Sequence, residues 1–318
     1  MNEQQLGRYL RRQFRTPSWV LAAYYVLMNM LVVAALFGDM AVFFLKAVAQ
    51  GDFAAQPDMA ALTSNAWGYI VAVAAVLLIL VAWKGTGFWK VKSGEPRRRM
   101  TLPVFLVFVC LCLASQLINS FWISGLELIM NRFGRSVEEI LQSVSGSSDT
   151  FSMFLYASIV APISEELIFR GYVQKSLAPY GRRFSVFCSA FLFGLFHGNL
   201  LQTPYAFLAG LILGYLAAEY HIVWAIALHI FNNLVLADLL TRFTAPFSQE
   251  IAAAVNLALF GVGTLVAGIV LVLKRGEIAA WFRRESMDRR CLKWFFLNSG
   301  TIVLFLMMAA NGILIMLV

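Results

Sequence analysis

The sequence predicts an all-α fold, a polytopic bundle of eight to nine transmembrane helices. Of its 318 residues, 60% are hydrophobic and 13% are charged, and the mean hydropathy is +0.75. This composition is untypical of a soluble domain. Apolar runs long enough to cross a hydrocarbon core of ~30 Å recur along the whole chain. The predicted spans are 17–38, 67–83, 102–124, 150–178, 184–200, 204–220, 222–240, 250–273 and 294–318.

The distribution of basic residues predicts the orientation of these spans. With the N-terminus inside, the predicted inner segments contain 19 Lys and Arg residues and the outer segments contain four. This is the positive-inside pattern. It accounts for the net charge of +8 through topology and contact with the lipid bilayer, so no nucleic-acid partner is expected. The predicted location is a bacterial plasma membrane, with a cytoplasmic N-terminus. The inner segments are 1–16, 84–101, 179–183 and 274–293, and the outer ones are 39–66, 125–149, 201–203 and 241–249.

Two segments outside the central spans also carry predictions. The first apolar run has no convincing cleavage site after it, so we interpret it as a membrane anchor rather than a signal peptide. The segment 125–149 contains RSVEEILQSVSGSSD, which predicts a short amphipathic helix and a polar turn on the outer side.

Three charged residues stand in the fourth predicted span, in the stretch SEELIFRG from Ser164 to Gly171. Ionisable side chains inside a bilayer are costly, so each of them needs a partner. Glu166 and Arg170 are four residues apart and therefore share one helical face, where they can pair. Glu165 lies about 100° around the helix, on another face. We expect Glu165 to find its partner on a different helix.

Two of the three histidines also fall within predicted spans. His197 ends the stretch FLFGLFH, four residues after Phe193 and on the same face. His229 lies in ALHIFNN, four residues before Asn233 and again on one face. His221 falls at a predicted inner boundary and is expected to be an interfacial residue without a special role.

Each of these polar residues also has a purely structural interpretation. A single histidine in a span can be a hydrogen-bonded packing residue, an asparagine commonly joins helices, and a Glu–Arg pair can be structural. The combination is harder to explain in this way, because an unpaired glutamate, two histidines and an asparagine occur on three separate helices. Together they predict a hydrophilic site that could hold a water molecule or a metal ion.

The sequences EELIFR, FGLFH and HIFNN resemble the three motifs of the CAAX protease and bacteriocin-processing family of intramembrane proteases, also called Abi. This family includes the CAAX prenyl endopeptidase. Its motifs have the form E-E-x-x-x-R, F-x-x-x-H and H-x-x-x-N, and all three occur here in order and with that spacing, within residues 165–233. The resemblance implies a catalytic core at 150–240, with N-terminal membrane spans at 1–149 and C-terminal spans at 241–318.

The resemblance implies an intramembrane endopeptidase that hydrolyses a peptide bond in a membrane-embedded or membrane-associated peptide or protein. Glu165 would be the general base, which suits a carboxylate in a low-dielectric site, and His197 would orient the attacking water. His229 and Asn233 would donate hydrogen bonds to the oxyanion. The supporting residues would be Glu166 and Arg170, as an ion pair, and Phe193.

Several alternatives stay open at this stage. Either of the adjacent glutamates could be the base. A zinc ion held by Glu165, His197 and His229, with an open fourth position, could activate the water instead. The chain contains no H-E-x-x-H signature, and we favour a reaction without an obligatory metal. The chain could also be a catalytically silent scaffold of the same family, or a proton- or ion-coupled transporter.

The geometry of straight helices raises one difficulty for this site. Pro162, three residues before Glu165, predicts a break in the fourth span. At 1.5 Å per residue, Glu165 and His197 on straight spans would lie at depths more than about 10 Å apart. The predicted site therefore requires a kink near Pro162, or helices that begin and end elsewhere than predicted.

Overall fold

The regular structure of the protein is helical throughout the part described by the computed structural model, which comprises residues 2–90, 98–137, 140, 150–285 and 287–317. No strand occurs within these ranges, in agreement with the predicted all-α class. The helices are α1 (Glu3–Ala49), α2 (Met59–Thr63), α3 (Trp67–Lys90), α4 (Leu102–Met130), α5 (Phe151–Tyr180), α6 (Arg182–Phe196), α7 (Thr203–Glu219), α8 (Ile222–Thr244), α9 (Gln249–Leu273), α10 (Arg275–Arg284), α11 (Arg289–Phe296) and α12 (Ser299–Leu317).

Among the described residues, seven helices are long and apolar enough to cross a membrane, so the predicted count of eight to nine is wrong. The predicted spans 184–200 and 204–220 correspond to α6 and α7, which have 15 and 17 residues. Helices of these lengths extend only about 23 and 26 Å. The predicted run 184–200 continues past the end of α6 at Phe196, whereas 204–220 matches α7 to within one residue at each end. The seven candidate spans are α1, α3, α4, α5, α8, α9 and α12.

The hairpin formed by α6 and α7 leaves the predicted orientation of the other spans unchanged. The two helices are antiparallel, because Gly214 lies against Val186 and Gly210 lies against Ala190. A Cβ atom at position 210 would stand 3.0 Å from the Cα of Ala190, so the glycine permits this close approach of the two backbones. Since a hairpin returns the chain to the side where it began, the orientation remains the one predicted from the basic segments.

Helix α5 is continuous through Pro162, so the predicted break is absent. The helix instead widens into π-helical turns at Tyr156–Val160 and Leu167–Gln174, on either side of Ala161–Glu166. A π turn changes the local hydrogen-bond pattern and so tolerates a residue whose nitrogen cannot donate. Helix α8 has a similar segment at Phe231–Leu239. Both helices are therefore widened at or beside their predicted site residues.

The largest apolar cluster packs α1, α5, α6, α11 and α12 together. At its centre are the buried rings of Phe14, Phe184 and Phe295, whose centroids lie between 5.1 and 6.3 Å apart. The hydroxyls of Ser18 and Thr301, 2.8 Å apart, join α1 to α12 by a buried hydrogen bond. A second cluster, around Phe108 of α4, packs α4 against α7 and α8. These two clusters hold the helices between which the predicted site lies.

The predicted outer segment 125–149 begins inside α4, because this helix extends to Met130 and is followed by a 3-10 turn at Asn131–Phe133. Most of the predicted amphipathic helix and the polar turn after it, residues 138–139 and 141–149, lie outside the described residues.

Candidate active site

A small cavity of about 100 Å³ lies between α4, α5, α6, α7 and α8, and it gathers the polar residues singled out in the sequence. The four predicted catalytic side chains come from three of these helices and all line this one space. This volume has room for a few water molecules, at about 30 Å³ each. The predicted site residues that line the cavity are Glu165, Phe193, His197, His229 and Asn233.

His229 lies between the two adjacent glutamates of α5. Its Nδ1 atom is 3.0 Å from Oε1 of Glu166, and its Nε2 atom is 3.7 Å from Oε2 of Glu165. Glu165 thus has the partner on another helix that its sequence position requires. An ionised carboxylate can only accept, so in the neutral ring of His229 the proton lies on Nδ1 and Nε2 is left without one.

Glu166 and Arg170 form the predicted ion pair, with 3.2 Å between Oε2 and Nε and with both side chains fully buried. The Nη2 atom of Arg170 donates to the carbonyl oxygen of Gly210 at 3.2 Å, which ties α5 to α7. The guanidinium carbon lies 4.7 Å from the ring centroid of Phe193 on α6, within the range of a cation–π contact. The pair therefore fixes the carboxylate that contacts His229.

The two glutamates differ in whether their carboxylate oxygens are open to the cavity. Both oxygens of Glu166 face a partner, one Arg170 and the other His229, and its side chain has no exposed surface. The side chain of Glu165 is 24% exposed, and it lines the cavity. Only Glu165 is therefore open to a water molecule there.

His197 is held at the C-terminal end of α6 by a turn with the sequence HGN. Its Nδ1 atom lies 2.9 Å from the carbonyl oxygen of Phe193, so the proton is on Nδ1 and the Nε2 lone pair of the neutral ring is free to accept. Gly198 has a φ of +63°, the left-handed conformation that commonly ends a helix. Asn199 donates to the His197 carbonyl at 2.9 Å, and Asn311 of α12 donates to the Gly198 carbonyl at 3.1 Å. The turn and α12 together orient the imidazole.

Glu165 and His197 line the same cavity despite the difference in depth calculated for straight spans. Glu165 lies 15 residues before the end of α5 at Tyr180, and His197 lies 15 residues after the start of α6 at Arg182, so each is about 23 Å from the turn that joins the two helices. Their equal distance from this common turn, and not a break at Pro162, removes the difficulty.

Phe193 is the common neighbour of the two histidines. Its ring meets that of His197 at a centroid distance of 5.0 Å and that of His229 at 5.8 Å, both in edge-to-face geometry. Its side chain is 2% exposed. Edge-to-face contacts restrict the tilt of both imidazoles, so Phe193 positions the two rings relative to each other.

A row of hydrogen bonds includes three residues that line the cavity, Tyr205, Asn232 and Asn233, and it was not predicted from the sequence. Gln116 Nε2 donates to the Tyr205 hydroxyl at 3.0 Å, and this hydroxyl donates to Asn232 Oδ1 at 2.7 Å. Asn232 Nδ2 donates to Asn233 Oδ1 at 3.1 Å, and Asn233 Nδ2 donates to the Ala157 carbonyl at 3.1 Å. The row joins α4, α7, α8 and α5, and it orients the amide of Asn233.

The sequence offered a signal for only one of these additional residues. Asn232 adjoins Asn233 in HIFNN and is an uncharged polar residue inside a span. Gln116 and Tyr205 stand alone in apolar stretches, and nothing in their spacing connects them to the motifs. The remaining histidine, His221, is exposed at the start of α8, where its Nδ1 accepts from the backbone N–H of Val223 at 3.2 Å, and it has no place in the cavity.

The residues proposed as zinc ligands do not form a metal-binding group in the described part of the chain. No set of three or more His, Cys, Asp and Glu side chains is arranged there to hold a metal ion. Catalytic zinc sites use three protein ligands. The reaction proposed for this site is therefore built on side chains and water alone.

The fold and this cavity define an integral membrane protein with a polar site enclosed among its helices. Residues 147–235 match the family model described as "Type II CAAX prenyl endopeptidase Rce1-like". This part of the chain is a domain of the CAAX protease family, as the three motifs predicted, and it contains every residue of those motifs. No curated protein and no solved structure matches the chain.

Proposed function

We propose that the protein is an intramembrane endopeptidase that hydrolyses a peptide bond in membrane-embedded or membrane-associated peptides or proteins, using a water molecule activated by Glu165. The observation that carries this proposal is the cavity itself. The Glu165 carboxylate and the His197 imidazole reach one small cavity from two different helices, and His229 and Asn233 line the same cavity.

Glu165 is the general base in this proposal, and Glu166 is a positioning residue. A base must come within hydrogen-bond reach of the proton that it abstracts. Glu165 is partly exposed in the cavity, whereas Glu166 is fully buried and held by Arg170 and His229. Glu166 acts through the ring of His229, because it accepts a hydrogen bond from the Nδ1–H group of that ring.

In the first step, Glu165 takes a proton from the water and the water oxygen bonds to the scissile carbonyl carbon. The Nε2 lone pair of His197 accepts the second hydrogen of the water and so directs the oxygen lone pair toward the carbonyl. The carbonyl oxygen becomes an oxyanion, which needs donors to stabilise it. Asn233 has two N–H groups on Nδ2 and donates only one of them to Ala157, so the other is available.

His229 becomes a second donor only when its ring carries a proton on both nitrogens. Glu165 lies 3.7 Å from Nε2 and holds the proton taken from water, so it is a source for this second proton. When the tetrahedral intermediate breaks its carbon–nitrogen bond, the leaving amine takes up that proton. The water is thereby divided between the new amine and the new carboxyl group, and every side chain returns to its starting state.

The experiment that tests this function is a search for new peptide termini. The purified full-length protein, reconstituted in liposomes, is mixed with a panel of membrane peptides, including prenylated C-terminal peptides because the family description names a CAAX prenyl endopeptidase. Mass spectrometry then identifies fragments. We expect fragments with the native sequence and none with Glu165→Ala.

The matched control is Asp238→Asn. This substitution also removes a carboxylate from a span, but that carboxylate pairs with Arg242 and lies outside the cavity. The Asp238→Asn protein should therefore cleave the peptides normally. Equal cleavage by Glu165→Ala and the native protein would contradict the assignment of the base. No cleavage by a folded native protein across the panel would favour the silent scaffold instead.

A further inference from the structure

A second cavity, of about 640 Å³, lies beside the catalytic one, between α4, α6, α7, α9 and α10. Its volume is in the range of pockets that enclose small ligands, roughly 300–1,000 Å³. Apolar side chains such as Phe108, Leu111 and Ile212 form most of its wall. Leu111 and Ile212 precede Cys112 and Leu213, which line the catalytic cavity, so α4 and α7 contribute to both spaces.

One end of this cavity is charged and has an excess of cations. Arg98, Arg183 and Lys274 line it together with a single carboxylate, Glu277. Lys274 Nζ lies 2.6 Å from Glu277 Oε1, and Arg98 Nη1 lies 3.9 Å from Oε2. The hydrogen bond from Lys274 lowers the pKa of the Glu277 carboxyl group, which therefore stays ionised at neutral pH. Three positive charges thus face one negative charge.

The charged end coincides with the ends of several membrane helices. Helix α4 begins at Leu102, α6 begins at Arg182 and α9 ends at Leu273, all close in sequence to the cationic residues. The basic segments here are those predicted to face the cytoplasm. Helix α10 lines the cavity and is joined to α7 by Trp281, whose Nε1 donates to Glu219 Oε1 at 2.9 Å. The cavity therefore has its charge at headgroup level and its apolar wall at the level of the acyl chains.

We propose that this cavity binds one anionic phospholipid of the inner leaflet. Its phosphate group lies at Arg98, Arg183 and Lys274, and an acyl chain lies against Phe108 and Ile212. Basic pockets between transmembrane helices on the cytoplasmic side suit anionic headgroups, whereas the apolar wall suits the chain. Because the site is shared by α4, α6, α7 and α9, a bound lipid stabilises the hairpin that carries His197.

The test is a direct measurement of lipid binding, independent of any proteolytic activity. The full-length protein is purified, depleted of lipid in detergent and titrated with phosphatidylglycerol or phosphatidylcholine, and native mass spectrometry counts the bound molecules. We expect one tightly bound phosphatidylglycerol. Arg98→Gln/Lys274→Gln should weaken it about thirtyfold, since each basic side chain near an anionic lipid contributes roughly fivefold.

Two further variants separate the contribution of the lipid headgroup to binding from that of the acyl chain. The control Arg283→Gln/Arg289→Gln also removes two positive charges, from exposed positions outside the cavity in the predicted inner segment that contains Lys274. This control should bind phosphatidylglycerol as the native protein does. Val107→Trp adds volume to the apolar wall without changing charge and should weaken both lipids.

Three results would overturn the proposal. Equal affinity for phosphatidylglycerol and phosphatidylcholine would show that the cationic end of the cavity does not recognise the anionic headgroup. Equal losses in the cavity variant and in its control would mean that the lipid is attracted to the surface only. Displacement of the lipid by an equimolar peptide substrate, if one is identified, would make the cavity part of the substrate site.

Discussion

The hydroxyl of Tyr205 donates to Oδ1 of Asn232 at 2.7 Å, and this contact sets the orientation of two side-chain amides. With its oxygen taken by Tyr205, Asn232 turns its nitrogen toward Oδ1 of Asn233, 3.1 Å away. The nitrogen of Asn233 then faces the Ala157 carbonyl and the cavity. A tyrosine outside the three family motifs therefore determines which group of Asn233 is presented as a donor.

We predict that Tyr205→Phe lowers kcat about tenfold and leaves KM nearly unchanged. The substitution leaves the buried Oδ1 of Asn232 without its donor, at a cost of about 1–3 kcal/mol, and lets the amide pair rotate. Asn233→Ala should lose more, ~10²–10³-fold, as the removal of an oxyanion donor usually does. The control is Tyr215→Phe, on the same helix but outside the catalytic cavity. A Tyr205→Phe protein with lowered thermal stability and full kcat would show that the contact is only structural.

The buried pair of Glu166 and Arg170 leads to a prediction about stability. Glu166→Gln leaves the guanidinium of Arg170 buried without its carboxylate, and removal of one partner of a buried pair costs about 3–5 kcal/mol. The double variant Glu166→Gln/Arg170→Gln should be less destabilised than the sum of the two single variants. Thermal unfolding in detergent measures both effects. Asp238→Asn, which breaks a pair with the half-exposed Arg242, should cost less than about 1 kcal/mol, and an equally small effect of Glu166→Gln would contradict the account.

The predicted topology can be tested by labelling single cysteines in a protein without its native ones. Arg289→Cys lies in a basic segment predicted to face the cytoplasm, and Phe133→Cys lies in the exposed turn after α4, which is predicted to face outward. A membrane-impermeant reagent should label Phe133→Cys in intact cells and Arg289→Cys only after permeabilisation. The reverse pattern would invert the orientation and would place the lipid cavity in the outer leaflet.

We predict that activity survives prolonged chelation in detergent and that elemental analysis finds no stoichiometric metal. The reason is that, in the described part of the chain, no set of three or more His, Cys, Asp and Glu side chains is arranged as a metal-binding group. Loss of activity on chelation, with recovery on addition of zinc or cobalt, would make Glu165, His197 and His229 ligands and replace the proposed mechanism.

The fold was predictable to the extent that the bilayer restricts it. Backbone polar groups must be satisfied within each span, so long apolar runs become helices, and α4, α5, α8 and α9 lie where hydropathy placed them. The same reasoning extended α6 too far, because hydropathy does not detect the turn at Gly198, and it counted the short helices α6 and α7 as spans. It also missed the tolerance of α5 for Pro162, which depends on a π turn five residues long.

The site was predictable where its residues share a helix and not where they meet across helices. Spacing by four placed Glu166 with Arg170 and Phe193 with His197, because the geometry of a single helix determines those pairs. The contact of Glu166 with His229 and the row from Gln116 to Asn233 depend on how α4, α5, α7 and α8 pack. A single sequence contains no local pattern that predicts how these helices pack.

The most direct test of the central claim, that Glu165 activates water for peptide hydrolysis, is single-turnover cleavage in ¹⁸O-labelled water. The native protein should place one ¹⁸O atom in each new carboxyl group. Glu165→Asp withdraws the carboxylate by about one bond length, ~1.5 Å, and should lose much of the rate, and Glu165→Gln should lose nearly all of it. Adding His197→Ala to Glu165→Gln should cause little further loss, since the two residues act on the same water. Cleavage by folded Glu165→Gln at the native rate would contradict the claim.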